Sequence, residues 1–293
     1  MRLVILFVLV TTSSIAQTDL RRQIRAIAAD AQGKVSVACS LAESAVNCDL
    51  APHARPPMQS VFKVPLALTV LHLVEGGRFS LNQPVRFLPS DRILPQVYGP
   101  LQDRYPEANV DIPLRELLHL AVTQSDNVAT DILLRTVGGS MAVNGYIESL
   151  GVKGFHLVDS EQELHADDRA QYRNWFEPAG AVALLRRLSE RSPLTAEHTR
   201  MLLGWMEATP HGAHQIKGQL PAGTIVMHKT GSSGTREGMT AATNDIGLIT
   251  LPSGRRLAIA IFVSDSTADT ATREAVIARI AKAAYDESIQ SKK

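Results

Sequence analysis

Ser60-Val61-Phe62-Lys63 places a hydroxyl and an amine three residues apart, which on a helix means one turn and one face. That pairing suits nucleophilic catalysis. A serine needs a base beside it, and a lysine serves once burial or a neighbouring charge lowers its pKa from about 10.4. At a helix start, free N–H groups also favour developing negative charge. Alone, these four residues equally describe a serine cap followed by a solvated lysine. Ser125-Asp126-Asn127 falls between two helical stretches, where an Asp or Asn caps the second. Its chemical use is a second hydroxyl for proton transfer and an amide to hold a substrate carbonyl. Lys229-Thr230-Gly231 ends a strand pattern, as a cationic strand end before a turn or as a carboxylate-binding edge. Each triplet is common by itself. In this order, with 65 positions from Ser60 to Ser125 and 104 from Ser125 to Lys229, they point together to one serine-nucleophile site.

The elements that must carry these residues follow from periodicity. Asp19 to Ala31 reads as an amphipathic helix, with Leu20, Ile24, Ile27 and Ala28 on one face, and Lys34–Leu41 and Val46–Leu50 read as strands. Ser60 to Glu75 turns helical (Phe62, Leu66, Val70, Leu73, Val74) and stops at Gly76-Gly77. Further helices are predicted over Ile112–Val122, Val128–Val137, Phe176–Arg191 and Thr195–Ala208. Strands return at Thr224–Lys229, Ile246–Leu251 and Arg256–Val263, with Pro252-Ser253-Gly254 as a hairpin turn, before a closing helix over Thr272–Ser288. Helix and antiparallel strand at both ends, with a helical middle, imply an α+β fold with an inserted helical domain. The expected division is 17–58 with 213–293 as a discontinuous α/β domain and 59–212 as the helical one, with the site where they meet.

Composition narrows the class. The 293 residues are 45% hydrophobic, enough for a large core, and the net charge of +1 comes from evenly spread residues. No basic run alternates with aromatics, so nucleic acid is not an expected partner. Arg2, the apolar run Leu3–Val10 and Ser14-Ile15-Ala16 make residues 1–16 an expected export leader, cleaved before Gln17. The run is too short to span a bilayer, so a secreted or periplasmic protein without stable membrane association is expected. Cys39 and Cys48 either face each other across a hairpin as a disulfide or pack as two small apolar thiols. No His, Cys, Asp and Glu grouping has zinc-ligand spacing, and His211 and His214 read as solvated loop residues. No metal or cofactor is expected.

The three motifs together resemble the penicillin-recognising serine enzymes, and among them the class A β-lactamases. The resemblance runs from the first helix to the last. It implies a five-stranded antiparallel sheet flanked by N- and C-terminal helices, with an all-helical domain inserted. The family's Glu-x-x-Leu-Asn segment is matched by Glu161-Gln162-Glu163-Leu164-His165, except that His165 replaces asparagine. This segment and Ala166–Asn174 resemble the PER and VEB branch, whose Ω loop is rearranged. The resemblance implies Ser60 as the acylated nucleophile and Lys63 and Glu161 as the two candidate proton acceptors during acylation. It implies Glu161 as the base for deacylation and Ser125 as proton donor to the leaving nitrogen. Asn127 is then expected to bind the substrate amide, Lys229 and Thr230 its carboxylate, and the N–H groups of Ser60 and Ser232 the oxyanion. Tyr98 is expected at the cleft mouth, and His165 either positions water or simply bonds to backbone. Arg236 or Arg273 is a candidate carboxylate partner. Gln59 stands where some carbapenem-hydrolysing relatives have a cysteine.

A small-molecule β-lactam is the expected partner, acted on by a monomer. D-alanyl-D-alanine carboxypeptidases and transpeptidases share the serine, lysine and Lys-Thr-Gly elements but aim no base at the acyl adduct; Glu161 argues against them. A non-catalytic β-lactam sensor would stay acylated, and no membrane span or partner domain supports that reading.

Overall fold

In the computed structural model, which describes residues 8–166 and 169–290, the chain opens with helix α1 (Val8–Ala29) and strand β1 (Lys34–Leu41). A 3-10 turn, Gln59–Phe62, leads into α2 (Lys63–Glu75). The middle of the chain holds β2 (Pro84–Phe87), α3 (Pro100–Arg104), β3 (Val110–Pro113), α4 (Leu114–His119) and α5 (Asn127–Val137). It continues with α6 (Ser140–Ser149), β4 (Phe155–His156), α7 (Glu161–Ala166), β5 (Trp175–Phe176), α8 (Pro178–Glu190) and α9 (Ala196–Glu207). Then come β6 (Val226–Ser232), β7 (Thr235–Arg236), β8 (Met239–Thr250), β9 (Arg256–Ser266) and α10 (Thr270–Gln290).

Five strands form one antiparallel sheet in the order β1-β9-β8-β6, with the short β7 pairing on β8. Side chains alternate between its faces. Val37, Cys39, Leu41, Ile259, Ile261 and Val263 join Leu20, Ile24 and Ile27 of α1 and Ile277, Ile280 and Ala284 of α10. Ala38, Met227, Ile246, Leu248, Ala260 and Phe262 face the other way, into a core shared with α2, α4, α5 and α8. The sheet is therefore covered on both sides, which is why β9 is apolar without interruption from Leu257 to Val263. A mixed α+β architecture of five antiparallel strands between helices is what the sequence led us to expect.

Some elements differ from expectation. Val46–Leu50 is not a strand: only Val37 and Leu50 bridge, with N···O distances of 2.7 and 3.0 Å. The Ser44 hydroxyl and the Asn47 carbonyl take the N–H groups of Val46 and Asp49, so local side chains satisfy donors that a ladder would use. The predicted helix over Ile112–Val122 begins only at Leu114. Val110–Pro113 instead pairs with Pro84–Phe87, and residues Leu120–Gln124 widen into a π turn. Phe176 pairs with Phe155 rather than opening α8, and Pro178 starts that helix. β8 begins at Met239, because Thr240, Thr243, Asn244 and Asp245 are buried polar strand residues that a hydrophobic pattern passes over. The expected leader, 1–16, lies outside the described residues over 1–7; from Val8 the backbone is already helical. Among the described residues no helix is long and apolar enough to cross a membrane.

Cys39 and Cys48 form a disulfide with Cα atoms 5.6 Å apart, which decides between the two cysteine readings. It closes a short loop between β1 and the Leu50 bridge, inside the core that β1 shares with α1 and α10. Replacing both cysteines by alanine should lower the unfolding free energy by about 2–3 kcal/mol, the loop-closure entropy of a ring this size. Denaturant titration checks this, and an unchanged midpoint would show that packing alone holds the loop.

Candidate active site

The turn bearing Ser60 is pinned from three sides. The Met58 N–H donates to the Asn174 carbonyl at 3.0 Å, and the Asn244 amide donates to the Pro57 carbonyl at 2.8 Å. Gln59 takes a left-handed backbone, φ 47°, and its amide donates to Gln171 at 2.9 Å. Ser60 thus sits in a 3-10 turn rather than inside a helix, and Lys63 is the first residue of α2. Gly231 explains the last motif: a Cβ there would lie 2.5 Å from the Met58 carbonyl and 3.1 Å from the Val61 nitrogen. Only glycine lets the end of β6 close on the turn that bears Ser60, and Ser232 then lines the same two cavities as Ser60.

Lys63 is fully buried, and protein groups surround its ammonium. It lies 2.9 Å from Glu161 Oε1, and donates to Asn127 Oδ1 at 2.5 Å and the Ser125 carbonyl at 2.8 Å. The Ser125 hydroxyl is 3.4 Å from Lys63 and 2.9 Å from the ammonium of Lys229, so it stands between two amines. Ser125 itself holds a left-handed conformation, φ 58°, at the end of the π turn. Asp126 turns away and caps α5 by accepting the Ala129 N–H at 2.8 Å, its second oxygen accepting the Leu101 N–H. Lys229 is also fully buried. Burial, and then the charge of Lys63, pull its pKa down to about 7, against the opposing charges of Glu161 and Asp245.

Glu161 opens α7, and α5 holds it. Asp131, one turn beyond Asn127, accepts the N–H groups of Glu161 and Gln162, both at 2.8 Å. Burial, and then the adjacent charge of Glu161, raise the Asp131 pKa to about 7. Glu163 is occupied elsewhere: its carboxylate accepts the Ser160 N–H while the Glu163 N–H donates to the Ser160 hydroxyl, a capping box. Asn174 gathers the two ends of this loop by accepting from the Val158 and Asp159 N–H groups and donating to the Asp159 carbonyl. Asp131, Asn174 and Asn244 escaped the sequence reading. Only Asp131 left a signal, its i+4 spacing from Asn127 on one helix face.

Two cavities meet at Ser60. One, of about 480 Å³, is lined by Ser125, Asn127, Thr230, Ser232, Tyr98 and His211 among others. A larger one, of about 920 Å³, runs under Glu161 and His165 between the loop around Tyr172 and the β7–β8 turn. Tyr98 is half exposed at the rim, edge-on to His211. His165 bonds to backbone, its Nδ1–H donating to the Glu161 carbonyl at 2.7 Å, and its ring borders both cavities. His214 is exposed, but His211 is not the solvated residue expected. Its Nε2–H donates to the Gln124 carbonyl at 3.0 Å, which draws the ring into the cavity wall. Arg236 borders both cavities, whereas Arg273, in the first turn of α10, is buried, bonded to Thr243, Thr270 and the Ala268 carbonyl, and borders neither. Among the described residues no cluster of His, Cys, Asp or Glu could hold a metal ion.

A hydroxyl on a pinned turn, two buried amines, a second hydroxyl between them and a carboxylate on the first amine define a serine-dependent acyl-transfer site. The pattern that defines the β-lactamase enzyme family matches residues 19–288. The chain is 41% identical over 266 residues to the extended-spectrum β-lactamase PER-1 of Pseudomonas aeruginosa, covering 91% of this chain and 86% of that one. It is 35% identical to the β-lactamase VEB-1 of the same organism, covering 78% and 77%. Among solved structures, a β-lactamase from Chitinophaga pinensis superposes with a TM-score of 0.88 at 41% identity, covering 92% of this chain and 99% of that one. The TLA-1 extended-spectrum β-lactamase superposes at 0.90 with 39% identity, covering 94% and 99%. The chain belongs to the β-lactamase enzyme family, in class A, and hydrolyses β-lactams, the reaction that confers resistance to them. The carboxypeptidase and sensor readings are set aside.

The Lys229 titration gives a test. In the free enzyme its ammonium is lost as pH rises through about 7, and with it a cation for an anionic substrate. The kcat/KM for benzylpenicillin should fall on the alkaline side from near that pH. Lys229→Arg, which stays protonated, should carry the limb to higher pH. A limb that does not move in the variant would locate the titration elsewhere.

Proposed function

We propose that Ser60 attacks the lactam carbonyl, with Lys63 and Glu161 as the candidate acceptors of its proton. What supports this is the 2.9 Å approach of the two groups one helical turn from the serine. The N–H groups of Ser60 and Ser232 receive the oxyanion, an interaction worth about 3–4 kcal/mol per donor in such enzymes. Ser125, between Lys63 and Lys229, passes a proton to the leaving nitrogen. Glu161 then draws a proton from water as that water attacks the ester, and the proton returns with Ser60 as it leaves. Asn127 binds the side-chain amide of the substrate. Lys229 and Thr230 bind its carboxylate, and Arg236, which borders both cavities while Arg273 borders neither, is the arginine we assign to assist them.

Penicillins and cephalosporins are the substrates we infer. The larger cavity suits the bulky side chain of oxyimino-cephalosporins, and PER-1 and TLA-1 are both described as extended-spectrum enzymes. His165 borders the path that the hydrolytic water would take. We read residues 17–58 with 213–293 as one domain and 59–212 as the other, in a monomer whose site is complete within one chain. Export to the periplasm by a leader over 1–16 rests on the charged end and apolar run of that segment.

The observation that carries the mechanism is Glu161 held on Lys63 at 2.9 Å and lining the larger of the two cavities that Ser60 borders. Glu161→Gln should therefore let the acyl-enzyme accumulate, with deacylation slowed by at least about 100-fold. Intact-protein mass spectrometry after mixing with benzylpenicillin reads it directly. A transient adduct in the wild type and a lasting one in the variant support the mechanism; unchanged turnover in the variant means another base.

A further inference from the structure

The loop wall of the larger cavity is tied to the sheet at a strained residue, Asp265. Asp265, the next-to-last residue of β9, has a left-handed backbone, φ 50°, within the strand. An L-residue adopts that conformation reluctantly, and when one is held there the surroundings impose it. No residue has been inserted to cause it, because the register with β8 is the same on either side, Ala242↔Ser264 and Thr240↔Ser266. The turn in the backbone brings the carboxylate to two partners far away in sequence. Asp265 Oδ1 accepts from the Tyr172 hydroxyl at 2.7 Å, and Oδ2 pairs with the Lys34 ammonium at 2.8 Å. Burial alone would raise the Asp265 pKa, but the bonds from Lys34 and Tyr172 outweigh it and hold the carboxyl below its ordinary range. Tyr172 belongs to the loop that faces the β7–β8 turn across the larger cavity, and it borders that cavity. On its inner side the same loop is joined to the turn before Ser60 by Gln171 on Gln59.

We propose that Asp265 is a positioning residue for substrate selection: through Tyr172 it fixes the wall against which a bulky β-lactam side chain packs. This rests on the reading that the larger cavity receives that side chain. Glu161 has its own supports in Asp131 and Lys63, so the Asp265 tether acts on the wall and not on the base. A wall that is already in place costs a large substrate nothing to order; a loose one must be ordered on binding. A small acyl side chain does not reach it.

Steady-state kinetics with benzylpenicillin and with ceftazidime, whose oxyimino group is bulky, test the proposal. Asp265→Gly removes the carboxylate and accepts the left-handed backbone without strain. It should raise KM for ceftazidime about fivefold while its kcat, and both constants for benzylpenicillin, stay within about twofold. Tyr172→Phe removes the same bond from the other side. It should raise the ceftazidime KM similarly, and the double variant should do no more than either single one. A KM that changes equally for both substrates, does not change, or falls for ceftazidime overturns the proposal, as do additive effects. A wild type that rejects ceftazidime while hydrolysing benzylpenicillin overturns the cavity assignment and this proposal with it. A wild type that accepts both, with Asp265→Gly leaving their KM ratio as it was, overturns this proposal alone.

Discussion

The ammonium of Lys63 has no access to water, so its charge must be met by protein. Taking an ion of this size out of solvent costs several kcal/mol even after relaxation, and only well-placed partners repay that. The partners are Glu161, Asn127 and the Ser125 carbonyl, drawn from two stretches of chain apart from that of Lys63 itself. The residues that keep the lysine stable also line the cavities that Ser60 borders. On the mechanism we propose, charge satisfaction and catalysis are one constraint, and the surrounding fold can be understood as what holds those partners still.

Each partner is held by a different device. Helix α5 supplies Asn127 directly and, one turn later, Asp131, which anchors the start of α7 and so Glu161. Asn174 draws the ends of the α7 loop together and also takes the N–H of Met58, so the loop and the nucleophile turn share one residue. Strand β6 brings Lys229 to Ser125 from the opposite side, and Gly231 lets the same strand close on the turn at Met58 and Val61. Burial, and then the nearby charge of Lys63, pull the Lys229 pKa down to about 7. Covering the sheet on both faces gives these devices a rigid base.

Much of this was legible in the sequence because it depends on local pattern. The α1 stripe, the limits of β1 and the ends of α5 follow from periodicity and from glycine stops such as Gly138, φ 102°. The three motifs announced themselves by order and spacing. What stayed hidden was long-range or polar. The buried polar half of β8 carries no hydrophobic period, and the short pairs β2–β3 and β4–β5 exist only because distant segments meet. His211 looked like a loop residue because its partner, the Gln124 carbonyl, is 87 positions away. The choice between Arg236 and Arg273 turned on burial, which residue type does not reveal. Asp265 carried no mark at all: a strained strand aspartate has the same letter as an ordinary one.

The central claim is that Lys63 and Glu161 form a single buried charge unit. A double-mutant cycle on unfolding free energy, with Lys63→Met, Glu161→Gln and the two combined, measures that unit directly. The account predicts a favourable coupling of about 2 kcal/mol, the combined variant being more stable than the sum of the single changes implies. Single effects that add to within about 0.5 kcal/mol would contradict it, because two groups 2.9 Å apart and out of water cannot then be one unit.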